Sequence, residues 1–341
     1  MLVIDGGLGE GGGQILRTCL ALSLLTGKEF TLMDIRQGRK KPGLRAQHLN
    51  AVRLAEKIGN ARVEGGEFGS TRLVFSPRPV ETGKFACDIG TAGSTSLILQ
   101  TVYLPLSFGE GPSKLSISGG THVPFAPTFD YLKLHWMAYM KRIGFPLMLN
   151  LEQAGFYPEG GGQIQVIVNP IKELSGFTIL RRGSLKQISG ISAVANLDRR
   201  IAVRQRDQIM QLLGKKYPLN DIRIRNLPSH HKGTTICLVC QFEHSQCCYT
   251  SLGEPGKPAE IVAQEVCDKI ESFLSTQAVM DEHLSDQLLL PLSIAGVDSH
   301  FTTVKITDHL RTNADVIKLF VDRKIDIVGT TGSEGLVSII K

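Results

Sequence analysis

Six residues, Glu10-Gly11-Gly12-Gly13-Gln14-Ile15, recur without change as Glu159-Gly160-Gly161-Gly162-Gln163-Ile164. Both copies sit beside strand-like segments. Self-similarity of this kind constrains architecture strongly, because one supersecondary unit buries its apolar face against the next. The echo predicts a chain assembled from repeated β/α units. The local patterns agree with mixed α/β structure. Leu2–Asp5 reads as a strand, and 14–25 as a helix with apolar Ile15, Leu16, Cys19, Leu20, Leu22 and Leu24, stopped at Gly27. Residues 30–35 alternate as a strand, 45–58 are helical up to Gly59, and strands follow at 62–64 and 71–75. Further on, 94–104 reads as a helix broken at Pro105, 114–118 as a strand, 127–143 as a helix and 163–168 as a strand.

From about residue 182 to 278 the character changes. Glycine-rich turns give way to polar and basic sequence patterned as strand (188–195), helix (199–213), strands (222–225 and 234–241) and helix (258–275). The earlier style resumes from 287. With 341 residues and 42% hydrophobic content the chain can bury a full core, and its length suits two domains. The economical reading is a larger domain, 1–181 and 278–341, interrupted by a smaller one at 182–277.

Several classes of protein are excluded by composition. Charged residues are 21% and no tract is of low complexity, which argues against disorder. No run approaches 18 apolar residues, and the opening Met1-Leu2-Val3-Ile4-Asp5 has no basic region or signal core, so neither a membrane span nor a leader is expected. Seven cysteines, an odd number without framework spacing, point to a reducing compartment and a cytoplasmic protein. Cys237 and Cys240 form a CxxC within a strand-like run. Residues three apart on a strand face opposite sides, so zinc is not expected there. The net charge of +6 is compatible with a polyanionic partner.

Five stretches carry candidate chemistry. Asp5-Gly6-Gly7-Leu8-Gly9-Glu10-Gly11-Gly12-Gly13-Gln14 leads into a helix, where glycine backbone and a helix N-terminus can meet an anion. It fits neither the Rossmann fingerprint nor the Walker lysine pattern, and a tight strand-to-helix turn is the plain alternative. Glu10 would suit Mg²⁺ if a nucleotide binds there. Residues 36–45 hold Arg36, Arg39, Lys40, Lys41 and Arg45 with no acid, on a turn made by Pro42 and Gly43. Arginine forks match phosphate oxygens, though a solvated basic loop has the same composition. Small residues at 90–96 open a helix that holds Gln100 inside its apolar run. The stretch 118–127 combines Gly119, Gly120, Pro124, Phe125 and Pro127, either a flat wall for a base or a rigid loop. Last, His309 in Thr307-Asp308-His309-Leu310-Arg311-Thr312-Asn313 stands between a strand (301–306) and a helix (313–320). A histidine ahead of a helix N-terminus is disfavoured as imidazolium and can act as a nucleophile.

The ordered set GEGGGQILR (9–17), GRKKPGLRAQHL (38–49), GTAGSTSLILQT (90–101), SGGTHVPFAP (118–127), GFYPEGGG (155–162) and HLSDQLLLP (283–291), with a late His309-Leu310, resembles the RNA 3′-terminal phosphate cyclase family. The resemblance covers nearly the whole chain and is loose only over about 182–277. It implies an α/β (α+β) fold, a large domain of repeated units with four-stranded sheets packed on two helices. A smaller thioredoxin-like domain is inserted into it.

It also implies an activity, the ATP-dependent conversion of an RNA 3′-terminal phosphate to a 2′,3′-cyclic phosphodiester. His309 would carry AMP first, and an RNA–adenylate anhydride would follow. Metal and triphosphate roles (Mg²⁺ or Mn²⁺) fall on Glu10 and Gln100, phosphate handling on Arg17, Arg36, Arg39 and Gln47, and the nucleotide pocket on Gln100, Pro127, His283, Asp286 and His309. Family members often carry tyrosine at the position of His283; histidine can stack similarly but also titrates. Two rivals remain at this level. One is a cyclase-like ribosome-assembly factor without activity, which would lack the nucleophilic histidine. The other, an enolpyruvyl transferase-like enzyme, would leave the basic turn without a task. In the inserted region Arg199, Arg200, Arg204 and Arg206 offer either RNA contact or a solvated helix face.

Overall fold

The computed structural model describes residues 1–9 and 11–341. Within them one pattern of elements recurs three times. The first unit runs β1 (Leu2–Asp5), α1 (Gly13–Thr26), β2 (Phe30–Met33), α2 (Ala46–Ile58), β3 (Arg62–Glu64) and β4 (Leu73–Ser76). Its sheet has the order β1-β2-β4-β3, a parallel pair followed by antiparallel partners. The second unit runs β5 (Lys84–Asp88), α3 (Thr95–Ser107), β6 (Ser113–Gly119), a long helix, β7 (Leu147–Gln153) and β8 (Gly162–Val168), in the same order, β5-β6-β8-β7. Its long helix starts as α4 (Phe129–Tyr131), widens into a π turn (Leu132–Trp136) and continues as α5 (Met137–Ile143).

The third unit begins at β9 (Thr178–Ile179) and then breaks off. Four strands and two helices intervene: β10 (Leu185–Ala195), α6 (Arg200–Leu213), β11 (Leu219–Asn226), β12 (Gly233–Phe242), β13 (Gln246–Leu252) and α7 (Ala259–Leu274). They form their own sheet, β11-β10-β12-β13. The third unit then resumes with α8 (Glu282–Ala295), β14 (Ser299–Thr303), α9 (Asp308–Phe320), β15 (Lys324–Val328) and β16 (Gly335–Ile340). β14 pairs in parallel with β9, and the sheet again reads β9-β14-β16-β15. Four-stranded sheets on paired helices, three times over, bear out the predicted fold class.

The echo that suggested repetition does not mark the repeat. Gly13–Ile15 of its first copy open helix α1, whereas Gly162–Ile164 of its second open strand β8. The counterpart of the first glycine turn in the second unit is 90–94, between β5 and α3. Two other expectations need correction. α3 runs through Pro105 to Ser107, because Leu104 and Leu106 beside it are fully buried and Ser107 Oγ donates to the Tyr103 carbonyl (2.8 Å). One lost backbone bond in a last turn is outweighed by that packing. The strand expected at 301–306 ends at Thr303, and the helix after it starts at Asp308 rather than 313.

One hydrophobic cluster joins the three units, where α1 packs on α2, α3 and α9. A second cluster, including Ile209, Val262 and Ile270, fills the space between α6, α7 and one face of the intervening sheet. β12 shows the alternation expected of the CxxC. Cys240 belongs to the second cluster, while Cys237 turns to the other face, with its Sγ 3.4 Å from Cys248 Sγ in the first. Arg182 ties the two chain crossings together. Its guanidinium donates to the carbonyls of Phe273, Leu274, Thr276 and Ala278 (2.7–3.3 Å) and lies on the rings of Phe242 and Phe273.

Candidate functional site

α8 and α9 start alike. Asp281 caps α8 by accepting the Leu284 N–H (2.9 Å), and Thr307 caps α9 by accepting the Leu310 N–H (3.1 Å). Each cap is followed by an acid, a histidine and a leucine: Asp281-Glu282-His283-Leu284 and Thr307-Asp308-His309-Leu310. His283 and His309 therefore occupy matching places in two first helical turns, where the helix dipole favours anions. His309 lies inside the helix and not ahead of it.

Both histidines line one cleft of about 630 Å³. Its walls also hold Arg17 from α1, Gln100 from α3, Pro127 from the loop before α4, and Asp286 from α8. Thr250, Ser251, Lys257 and Lys269 close it from the side of the intervening sheet. Phe125 stands at the cleft with its ring fully exposed and its backbone in the left-handed region (φ 61°), a conformation that bulky residues rarely hold.

Asp286 is fixed by Asn313, whose Nδ2 donates to its Oδ1 (2.9 Å), and Asn313 Oδ1 accepts in turn from Thr18 (2.8 Å). Burial pushes the Asp286 carboxyl above its ordinary range, against the opposing pull of His309, Asn313 and Arg17. Burial likewise lowers the Arg17 guanidinium to about 10, with Asp286 drawing it back, which leaves it cationic at neutral pH. Three buried polar atoms on the cleft walls lack hydrogen-bond partners among the described residues: Gln100 Nε2, Trp136 Nε1 and Gln287 Oε1. Buried polar groups are normally paired, which sets these three apart.

Arg36, Arg39 and Gln47 lie off the cleft walls, on the flank around Arg17. Arg36 donates to the carbonyls of Lys41 (2.8 Å) and Gly43 (2.9 Å), holding its own turn. Arg39 reaches back over the first glycine turn, with Nη2 2.9 Å from where a Cβ on Gly12 would lie. Gln47 Oε1 accepts the Ser94 N–H (2.9 Å), which fixes the turn at 90–94. Glu10 lies outside the described residues.

His48 belongs to the same flank. Its Nε2 abuts Gly13, where any Cβ would collide with it, and Arg17, Arg36 and Arg45 surround it. Burial, then those three cations, lower it to about 3. The arginines of α6 are engaged elsewhere, Arg200 with Asp198, Arg204 with Glu260 and Arg206 with Asp207.

The fold and cleft together define an α+β protein of three like units, with a half-buried, cation-flanked pocket where helix starts converge. The family model described as RNA 3′-terminal phosphate cyclase matches residues 8–327, and the chain belongs to that family. The RNA 3′-terminal phosphate cyclase of Sulfurisphaera tokodaii is 44% identical over 335 residues, 96% of each chain. That of Ralstonia nicotianae is 42% identical over 326 residues, covering 95% of this chain and 92% of its own. Among solved structures, the enolpyruvyl transferase NikO from Streptomyces tendae matches 50% of this chain and 33% of its own at 13% identity and a TM-score of 0.29, too little to carry an argument.

Proposed function

We propose that this protein closes RNA 3′-phosphate ends into 2′,3′-cyclic phosphodiesters at the expense of ATP, with His309 as the nucleophile. A ring nitrogen of His309 attacks the α-phosphorus of ATP and pyrophosphate leaves, forming a phosphoramidate to AMP. An oxygen of the RNA 3′-phosphate then displaces the imidazole, giving an RNA–adenylate anhydride. Finally the neighbouring 2′-hydroxyl gives up its proton and attacks the terminal phosphorus, and AMP departs. Covalent transfer divides one difficult substitution into easier ones, and a phosphate oxygen that leaves poorly becomes part of a good leaving group.

The observation that carries this reading is the convergence on one cleft of His309, Asp286, Arg17 and Gln100, contributed by different units. Asp286 orients the imidazole and offsets charge developing on it. Arg17 spreads negative charge on the phosphoryl oxygens, and the first turns of α8 and α9 favour anions. Pro127 and His283 offer flat surfaces for the adenine. Arg36, Arg39 and Gln47 flank the place of the RNA phosphate.

A divalent ion, Mg²⁺ or Mn²⁺, would shield triphosphate charge. Among the described residues no trio of His, Cys, Asp and Glu converges as a cage. The ion would be held by phosphate oxygens and water, with Glu10 and the Gln100 amide adding protein oxygens. In this reading 182–277 is an inserted domain that walls one side of the cleft. The seven unpaired thiols favour the cytoplasm as its location.

The test is transfer of label from α-labelled ATP with Mg²⁺. Wild type should acquire acid-labile, alkali-stable label, and His309→Ala should acquire none while keeping a cooperative melting transition. Label retained on His309→Ala removes this histidine from the mechanism.

A further inference from the structure

We infer that Phe68 is a stacking platform for a base of the RNA's 3′-terminal dinucleotide, beside the arginine turn that takes its phosphate. The inference rests on the cyclase reading for the identity of the ligand, and on separate observations for the site. Phe68 stands on the loop between β3 and β4 and is 62% exposed. The guanidinium carbon of Arg45 lies 5.2 Å from the ring centroid.

Arg45 belongs to the basic turn. Its backbone N–H points to His48 Nδ1, and its charge acts on Arg36, as does that of Arg39. One arginine therefore joins the exposed ring to the cation cluster that flanks the cleft. The ring's place is set by backbone. The Gly69 N–H donates to the Leu44 carbonyl (2.8 Å), and the Leu44 N–H to the Ser70 carbonyl (2.9 Å). Gly43 has φ 75° and lies so close that a Cβ there would collide with the Gly69 carbonyl. Loop and basic turn are thus one assembly.

An exposed phenylalanine alone would mean little. Fixed beneath a guanidinium and next to a turn with five cations and no acid, it matches what single-stranded RNA ends require. Their phosphates are drawn by charge, and their unstacked bases lie on aromatic or guanidinium planes. Every base offers a π face, so the platform selects a nucleic-acid end without reading its sequence.

The experiment compares wild type, Phe68→Ala, Phe68→Leu and Phe68→Trp on an RNA decamer with a 3′-phosphate. It uses three readouts: self-adenylation, KM for the decamer, and fluorescence of 2-aminopurine in the last two positions. Expected are unchanged self-adenylation in all, a KM raised about tenfold or more in Phe68→Ala and Phe68→Leu, and wild-type KM in Phe68→Trp, in line with the usual strength of base–aromatic stacking. A decamer abasic at both positions should bind wild type and Phe68→Ala equally. Quenching of 2-aminopurine should depend on Phe68 whether or not turnover occurs. A KM within twofold of wild type in Phe68→Ala, full rescue by leucine, or quenching that persists without the ring overturns the platform. Failure of wild type to self-adenylate overturns the cyclase reading instead, and the quenching result still decides the platform.

Discussion

His48 is a histidine that resists protonation, since burial and three arginines hold it at about 3, far below its ordinary 6.5. Below pH 6.5 the unfolded chain takes up a proton that the native site refuses. The native state is therefore undiminished above pH 6.5 and loses ground as pH falls toward 3, by at most about 1.4 kcal/mol per pH unit. His48→Gln should flatten the fall in melting temperature between pH 6 and pH 4, and parallel curves for the two proteins would contradict this. Residue type and order made the cationic turn legible in the sequence, and six residues matched by resemblance do line one cleft. The placing of His48 was not legible, because it depends on the turn at 36–45 folding back against Gly13, a contact that no local pattern encodes.

At the scale of elements, the first turns of α8 and α9 deserve the closest comparison. Thr307 pairs with the Leu310 N–H at the start of the helix that bears His309. Thr307→Ala should cost about 1 kcal/mol in melting experiments, the usual value of a lost N-cap. It should also slow self-adenylation, and Thr307→Ser should restore both. Unchanged labelling in the alanine variant would show that the cap does not aim the imidazole. The capping threonine and first-turn acid were present as signals, but Asp308-His309-Leu310-Arg311 looks loop-like without a neighbour to pack on. Leu310 is fully buried, and that packing decides the start. Strand β5 is not legible for another reason. Lys84–Asp88 alternates exposed and buried over only five residues, too short a run to stand out beside glycine turns. β9 has two residues and is defined wholly by its pairing with β14.

For the whole molecule the decisive feature is the junction at Arg182, where the chain leaves the third unit and returns to it. Arg182→Leu removes donors from four carbonyls and should destabilise the protein by roughly 2–4 kcal/mol, as expected when buried polar groups lose their partners. Limited proteolysis should then cut near 182 and 276; an unchanged digestion pattern would remove Arg182 as the clamp. A shift in composition marks 182–278 in the sequence as different in character. It could not reveal that the Cys237 face of the intervening sheet closes on the main core, or that Gln246 meets His135 (3.0 Å) in the π turn. The split third unit also sets an order of events during synthesis. A ribosome can deliver the first two sheets complete, but β9 must wait for its parallel partner until the whole intervening sheet has emerged. α1, already made, waits longer still for α9. His309 and Asp286 therefore meet Arg17 and Gln100 only after the whole intervening sheet has been made.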